Sequence, residues 1–244
     1  RWDQPFNYSE LCNVGARLAQ GELLCMLNND IEISQPDWLD RLVDEACEPE
    51  CGAVGAMLLY PDGRIQSAGV LMGPGGVAAN RFATVASQRV PAGALDHVQE
   101  VSAVAGACLL TRKDIYLQLG GLDERNLRVA FNDVDYCLRL REHGLYCRLE
   151  PRVQLIHHES VSLKDHSRGR GDDFAREVAW MQSRWADVIA RDPFHNLNLS
   201  LSKFRPLTPY PGNRRAALWP LLGIETGLAP SPAGLHPPLR WYVD

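Results

Sequence analysis

The run Leu23-Leu24-Cys25-Met26-Leu27-Asn28-Asn29-Asp30 decides the fold of this chain. Five apolar residues without interruption, bounded by polar ones, read as a short buried strand. The strand runs directly into two amides and a carboxylate. Upstream, Leu11, Val14 and Leu18 follow helical spacing, with Ser9 in a capping position and Gly21 closing the helix. Downstream, Ser34-Gln35-Pro36-Asp37 opens a second helix that carries Trp38, Leu39, Leu42, Val43 and Ala46 on one face. Helix, buried strand and helix in succession predict an α/β fold with a largely parallel sheet. Ligands of such sheets sit beyond the carboxyl ends of the strands, so polar residues at those ends become the candidates.

The rest of the chain continues the alternation. Residues 52–59 are an apolar strand, and Pro61-Asp62-Gly63 is a turn that leads to another over residues 67–72. Residues 73–97, rich in Gly and Ala and without periodicity, read as a long loop. A strand over 101–111 precedes a short helix that ends at Gly120-Gly121. Asn132 caps a helix with Val134, Cys137 and Leu138 inward, ending near Gly144. Short strands follow at 146–149 and 153–156, on either side of Pro151. Asp172-Asp173 opens an amphipathic helix with Phe174, Val178, Met181 and Trp185 on its buried face. After Lys203 the composition shifts to Pro, Gly and Leu without period, as in a linker or tail. The expected division is therefore a domain over residues 1–203 and a Pro-rich tail over 204–244 that leads toward a further domain.

A length of 244 residues allows one large domain or two small ones, and 45% hydrophobic with 23% charged residues is ordinary for a globular protein. The net charge of −5 argues against a general nucleic-acid binder. The seven cysteines lie scattered in apolar runs with no C-x-x-C pair, which suits reduced thiols packed as small hydrophobes in a reducing cytosol. The longest apolar run, residues 103–110, is far short of the ~18 residues of a membrane span. The chain starts at Arg1 rather than Met and reads as a segment of something longer.

Three polar clusters stand at predicted strand ends or helix starts. Asn28-Asn29-Asp30 suits a hard cation that carries a diphosphate, through oxygen ligands and open coordination positions; it also serves as an ordinary Asn/Asp turn. Asp133, in Phe131-Asn132-Asp133-Val134-Asp135, suits a general base that the helix start keeps ionised, or a simple capping residue. His157-His158 can add an imidazole nitrogen to a manganese-type site, or merely end a strand at the surface.

These clusters come in a known order. The runs PFNYSELCNVGARLAQGELLCMLNNDIEI with PDWLDRLV, VSAVAGACLLTRKDIYLQLGGLDE, AFNDVDYCLRLREHG and LEPRVQLIHHESVS together resemble a family 2 glycosyltransferase, across roughly residues 1–200. The likeness is to a bacterial subgroup associated with O-antigen and other surface polysaccharides. It implies a GT-A fold, a nucleotide-diphosphate-sugar donor and a divalent cation, Mn²⁺ or Mg²⁺. Asn28-Asn29-Asp30 stands where the family has D-x-D: Asp30 would be the main metal ligand, and Asn28 and Asn29 would lie on the donor side. Asp133 falls on the base of the Glu-Asp motif, His157 on the histidine that completes the metal site, and Gly106-Ala107 on the strand that lines the donor sugar. Asn13 is a further donor-side candidate. Asn28 and Asn132 depart from the family's Asp and Glu. The family also begins with a β-α-β unit that grips the nucleobase, and Arg1 follows where that unit would end, so an N-terminal truncation is expected.

The resemblance further implies inverting transfer to a glycan or lipid-linked glycan acceptor, in the cytoplasm at the inner face of the cell membrane, in peripheral association with it. A binding or scaffolding module of GT-A shape without catalysis, and a metal-dependent phosphohydrolase, are the alternatives.

Overall fold

The computed structural model describes residues 5–158 and 171–195; the expected tail over 204–244 lies outside them. Among the described residues nine strands alternate with helices: α1 (Tyr8–Leu18), β1 (Leu23–Leu27), β2 (Ile31–Glu32), α2 (Trp38–Ala46), β3 (Cys51–Leu59), β4 (Ile65–Ser67), β5 (Val70–Met72), β6 (Ala78–Asn80), β7 (Gln99–Val101), β8 (Cys108–Arg112), α3 (Lys113–Gln118), α4 (Asn132–Glu142), β9 (Tyr146–His157), α5 (Gly171–Arg184) and α6 (Ala186–Ala190). The main sheet runs β1-β8-β3-β9-β2, with β4 added to β3 and β7 to β9, and β5 and β6 form a separate ribbon.

The α/β class is as the sequence indicates, but the strand directions are more mixed than a largely parallel sheet. Among the described strands only β3 and β9 run parallel, whereas β1/β8, β8/β3, β9/β2, β3/β4 and β7/β9 are antiparallel. Alternation of strands and helices cannot distinguish the two directions when a long loop, here residues 73–97, lets the chain return from either end. That loop is itself partly regular: β6 lies inside it and pairs with β5. The strand expected over 67–72 is two strands, β4 and β5, separated at Gly69, whose φ of +83° breaks the extended run.

β3 is covered on both faces, as its unbroken apolar run requires. Ala53 and Met57 enter one core with α4, α5 and the residues around Tyr116, while Val54, Ala56 and Leu58 enter a second core under Leu42 and Ala46 of α2. β9 follows β3 along its whole length. The pairing steps from Ala56↔Glu150 to Met57↔Gln154, so Pro151, Arg152 and Val153 are extra residues on β9. An odd insertion reverses side-chain parity. Cys147 and Leu149 accordingly face the first core, whereas Val153 and Leu155 face the second. Gln35 pins the bulge from outside: its Nε2 donates to Arg152 O (3.0 Å), and its Oε1 accepts from Gln154 N (2.7 Å). Glu150, buried, accepts from Arg152 N at 2.9 Å and from Arg152 Nε at 2.8 Å.

Helix α1 differs from expectation in its cap and its face. Asn7, not Ser9, is the cap, with Oδ1 accepting from Glu10 N at 3.1 Å, a contact worth about 1 kcal/mol. Ser9 is buried and donates to Leu127 O, and Leu18 is 76% exposed. The polar Ser9 and Asn13, with Ala16, form the buried stripe, which hydrophobicity alone could not mark. All seven cysteines are free thiols. Among the described residues no helix is long and apolar enough to cross a membrane.

Asn13 ties α1 to the turn after α3. Its Oδ1 accepts from Leu122 N (2.9 Å) and the Tyr116 hydroxyl (2.6 Å), and its Nδ2 donates to Leu122 O (2.9 Å) and Glu124 Oε2 (3.0 Å). A Cβ on Gly121 (φ +72°) would stand 2.2 Å from that Oδ1, whereas Gly120 (φ +80°) has open space. Both positions carry the ~1–2 kcal/mol cost of a left-handed L-residue. Gly121→Ala adds a clash with a buried hydrogen-bonded group and should lose ~1–3 kcal/mol more than Gly120→Ala in urea titrations. Equal losses would show that Asn13 does not fix this turn.

Candidate functional site

The carboxyl end of β1 and the end of β9 meet at Asn28 to Asp30. Asn28 N donates to Ala107 O (3.0 Å), which joins the end of β1 to the turn before β8. Ile31 pairs with His157, and His158 N donates to Asp30 O (3.0 Å). These backbone bonds bring Asp30 and His157 together: Nε2 of the imidazole is 3.1 Å from Asp30 Oδ1, and both side chains are mostly buried. Asn28 Nδ2 lies 3.3 Å from the same Nε2. Asn29 is exposed between them. His158 faces outward and pairs with Glu32 instead (2.9 Å).

The second half of the site is Asp133, in the first turn of α4. Gly106 N donates to Oδ2 at 2.6 Å and Val134 N to Oδ1 at 2.8 Å. Gly106 packs closely on the base: a Cβ there would stand 3.1 Å from Asp133 Cβ and 3.2 Å from Oδ2. The segment that delivers Asp133 is held from α5. Glu177 accepts from Val129 N (2.9 Å) and Ala130 N (3.2 Å), and Asn132 Nδ2 donates to Val129 O (2.9 Å). Phe131 then takes a left-handed φ of +59° to start the helix.

Burial raises the Asp133 carboxyl above its ordinary range, against the lowering effect of the N–H groups of Gly106 and Val134. Desolvation therefore outweighs the favourable field of the helix start at this carboxyl.

Sequence reasoning gave no role to two residues that the structure sets here. Tyr8, on α1, lies with its hydroxyl 3.4 Å from Asn28 Oδ1 and 3.4 Å from Gly106 O, so it bridges the two halves. Burial pushes its phenol pKa upward. Gln66, on β4, places Oε1 2.6 Å from His157 Nδ1. A lone aromatic in a first helical turn and a lone Gln in a short strand give no sequence signal of either role. Asn13, by contrast, is not drawn into this cluster. Both its lone pairs and both its N–H groups are used on the α3 turn. It lines a depression with Arg17, Gly121, Glu124 and Arg139 that none of Asn28, Asp30, Asp133 and His157 borders.

The donor set at Asp30 and His157 fits a divalent cation. One carboxylate oxygen and one imidazole nitrogen 3.1 Å apart can share an ion with bonds of about 2.0–2.2 Å. Among the described residues no group of three His, Cys, Asp or Glu side chains forms a fuller site.

No protein-family model matches the chain. Over 209 residues it is 41% identical to "Uncharacterized protein y4gI" of Sinorhizobium fredii (strain NBRC 101917 / NGR234), covering 82% of this chain and 22% of that one. It is 38% identical over 203 residues to the O-antigen biosynthesis protein RfbC of Myxococcus xanthus, covering 82% and 16%. It is 31% identical over 148 residues to the N-acetylglucosaminyl-diphospho-decaprenol L-rhamnosyltransferase of Mycobacterium tuberculosis (strain CDC 1551 / Oshkosh), covering 55% and 45%. The chain thus spans less than half the length of each of these relatives. The crystal structure of GalNAc-T7 with UDP, GalNAc and Mn²⁺ superposes at a TM-score of 0.52 with 14% identity, over 64% of this chain and 31% of its own, a likeness of fold. Fold and sequence likeness agree: the chain has the GT-A fold, and its sequence is similar to bacterial proteins named for O-antigen biosynthesis and rhamnosyl transfer.

Proposed function

We propose that this chain catalyses inverting, family 2-type transfer of a sugar from a nucleotide-diphosphate donor to a glycan or lipid-linked glycan acceptor, in surface polysaccharide synthesis. The observation that carries this reading is the joining of two chemistries at one end of the sheet: a carboxylate–imidazole pair, Asp30 and His157, and a desolvated carboxylate, Asp133. Tyr8 and the Asn28–Ala107 bond link the two. The relatives named for O-antigen synthesis and rhamnosyl transfer support the same reaction class.

A divalent cation, bound by Asp30 and His157, would offset charge on the departing diphosphate. The protein's own groups do the rest. Asp133 accepts the proton of the acceptor hydroxyl as that oxygen bonds to the anomeric carbon, and the bond to the diphosphate oxygen breaks with its electron pair. Gly106 N–H fixes one oxygen of the base, and Val134 N–H the other. Each oxygen keeps a lone pair for the proton. Asn28 and Asn29, Gly106 and Ala107 form the donor-side wall. The site is assigned to the cytoplasmic side, with the protein at the membrane face where a lipid-linked acceptor would be presented.

Asp133→Ala should lower transfer by about 10²-fold or more while leaving nucleoside-diphosphate binding intact; unchanged turnover would remove the base assignment. Asp30→Ala and His157→Ala should each abolish Mn²⁺-dependent binding of UDP, dTDP or GDP in calorimetry, and binding that persists would rule out this cation site. A base works deprotonated, so kcat/KM should fall as pH drops through the Asp133 pKa. With burial raising that pKa, the acid limb should lie above the ~4 of an ordinary carboxylate. A limb at or below ~4 would mean that another group is titrating.

A further inference from the structure

Gln66 is 5% exposed on β4 and belongs to none of the recognised runs. β9 occupies one side of β3 along its length, so β4 takes the other side at the end of β3, beyond β8. Ile65 faces the first core with Leu59, and Gln66, the extra residue where the pairing steps from Leu59↔Ile65 to Leu58↔Ser67, turns to the opposite face. The bulge in β9 turns Leu155, and with it His157, to that same face. The two side chains therefore meet across the end of β3, with Oε1 2.6 Å from Nδ1.

An amide oxygen only accepts, so the imidazole Nδ1 must carry its hydrogen toward Gln66. Nε2 of the neutral ring is then left with its lone pair. A second contact points the same way: Asn28 Nδ2, a donor, faces this Nε2 at 3.3 Å. The Tyr8 hydroxyl lies 3.4 Å from Asn28 Oδ1, on the other side of that amide. Nε2 lies 3.1 Å from Asp30 Oδ1, so in the neutral Nδ1–H form two electron-rich atoms face each other and are stabilised by a cation between them. Gln66 Nε2, meanwhile, is buried without a hydrogen-bond partner. Turning the amide over would strand its oxygen in that place and put a donor against Nδ1.

We propose that Gln66 is a positioning residue whose side-chain oxygen holds His157 in the Nδ1–H form, so that the Nε2 lone pair and the Asp30 carboxylate converge on the donor's cation. The assignment rests on the cation reading above and adds to it the group that orients the imidazole. Such outer partners fix the tautomer and aim of metal-binding histidines, and their loss weakens binding by about 10–100-fold.

The test uses the full chain, first without metal, at about pH 8, above the ordinary imidazole range. Long-range ¹H–¹⁵N spectra, with His157→Gln to assign the ring, should show hydrogen on Nδ1 in the parent protein. Gln66→Leu, similar in size, should lose that preference, and Gln66→Glu, which keeps an accepting oxygen, should restore it. Mn²⁺ titrations followed by electron paramagnetic resonance, with UDP present, should show about 10–100-fold weaker binding in Gln66→Leu and no such loss in Gln66→Glu. Hydrogen on Nε2 in the parent, or a Gln66→Leu variant with unchanged spectra and Mn²⁺ affinity, overturns the assignment. Failure of the parent to bind Mn²⁺, with the Nδ1 hydrogen present and lost in Gln66→Leu, would remove the cation reading and leave the Gln66–His157 lock standing.

Discussion

The pairing of β9 with β3, and the three extra residues that β9 carries at Pro151–Val153, govern the histidine side of the site at this end of the sheet. Strand parity is rigid: each residue gained or lost exchanges the two faces. With an odd insertion the first part of β9 packs Cys147 and Leu149 into one core, and the last part packs Val153 and Leu155 into the other. His157 inherits its face from that switch. An even insertion would aim the imidazole away from Gln66, leaving Asp30 with only the backbone of the histidine strand. The clamp by Gln35 and the contacts between Glu150 and Arg152 serve to hold this parity.

The site therefore stands on two supports of different character. The Asp30–His157 half is held by the sheet, through β2–β9 pairing and the Asn28–Ala107 bond. The Asp133 half is held by helices, through Glu177 on α5 and the left-handed Phe131 that starts α4. Tyr8, on α1, touches both. Separate supports let the two halves carry opposite electrostatics. Asp30 has an imidazole nitrogen beside it, whereas the oxygens of Asp133 accept backbone N–H groups and desolvation dominates there.

The placement of Asn13 shows how a polar residue in a recognisable run can serve the frame. In sequence it is one polar residue in the middle of a helix that leads into the Asn28–Asp30 strand. In the fold it is buried and saturated, with four hydrogen bonds that join α1 to the turn at Gly121–Leu122. A buried amide satisfied in this way stiffens the frame behind the site.

Sequence by itself determined the α/β class, the positions of β1, β3, α4 and α5, and the residues at the ends of those elements. Apolar period and capping chemistry are local and survive reading in one dimension. It also gave Asn28, Asp30, Asp133 and His157 as a set, because their order along the chain is itself a pattern. Tertiary structure decided strand direction, the parity of β9, the raised carboxyl of Asp133 and the partnership of Gln66 with His157. Those properties depend on residues about 90 positions apart meeting across one strand, and on how much water the surrounding fold removes. Neither is written in the neighbours of any single residue.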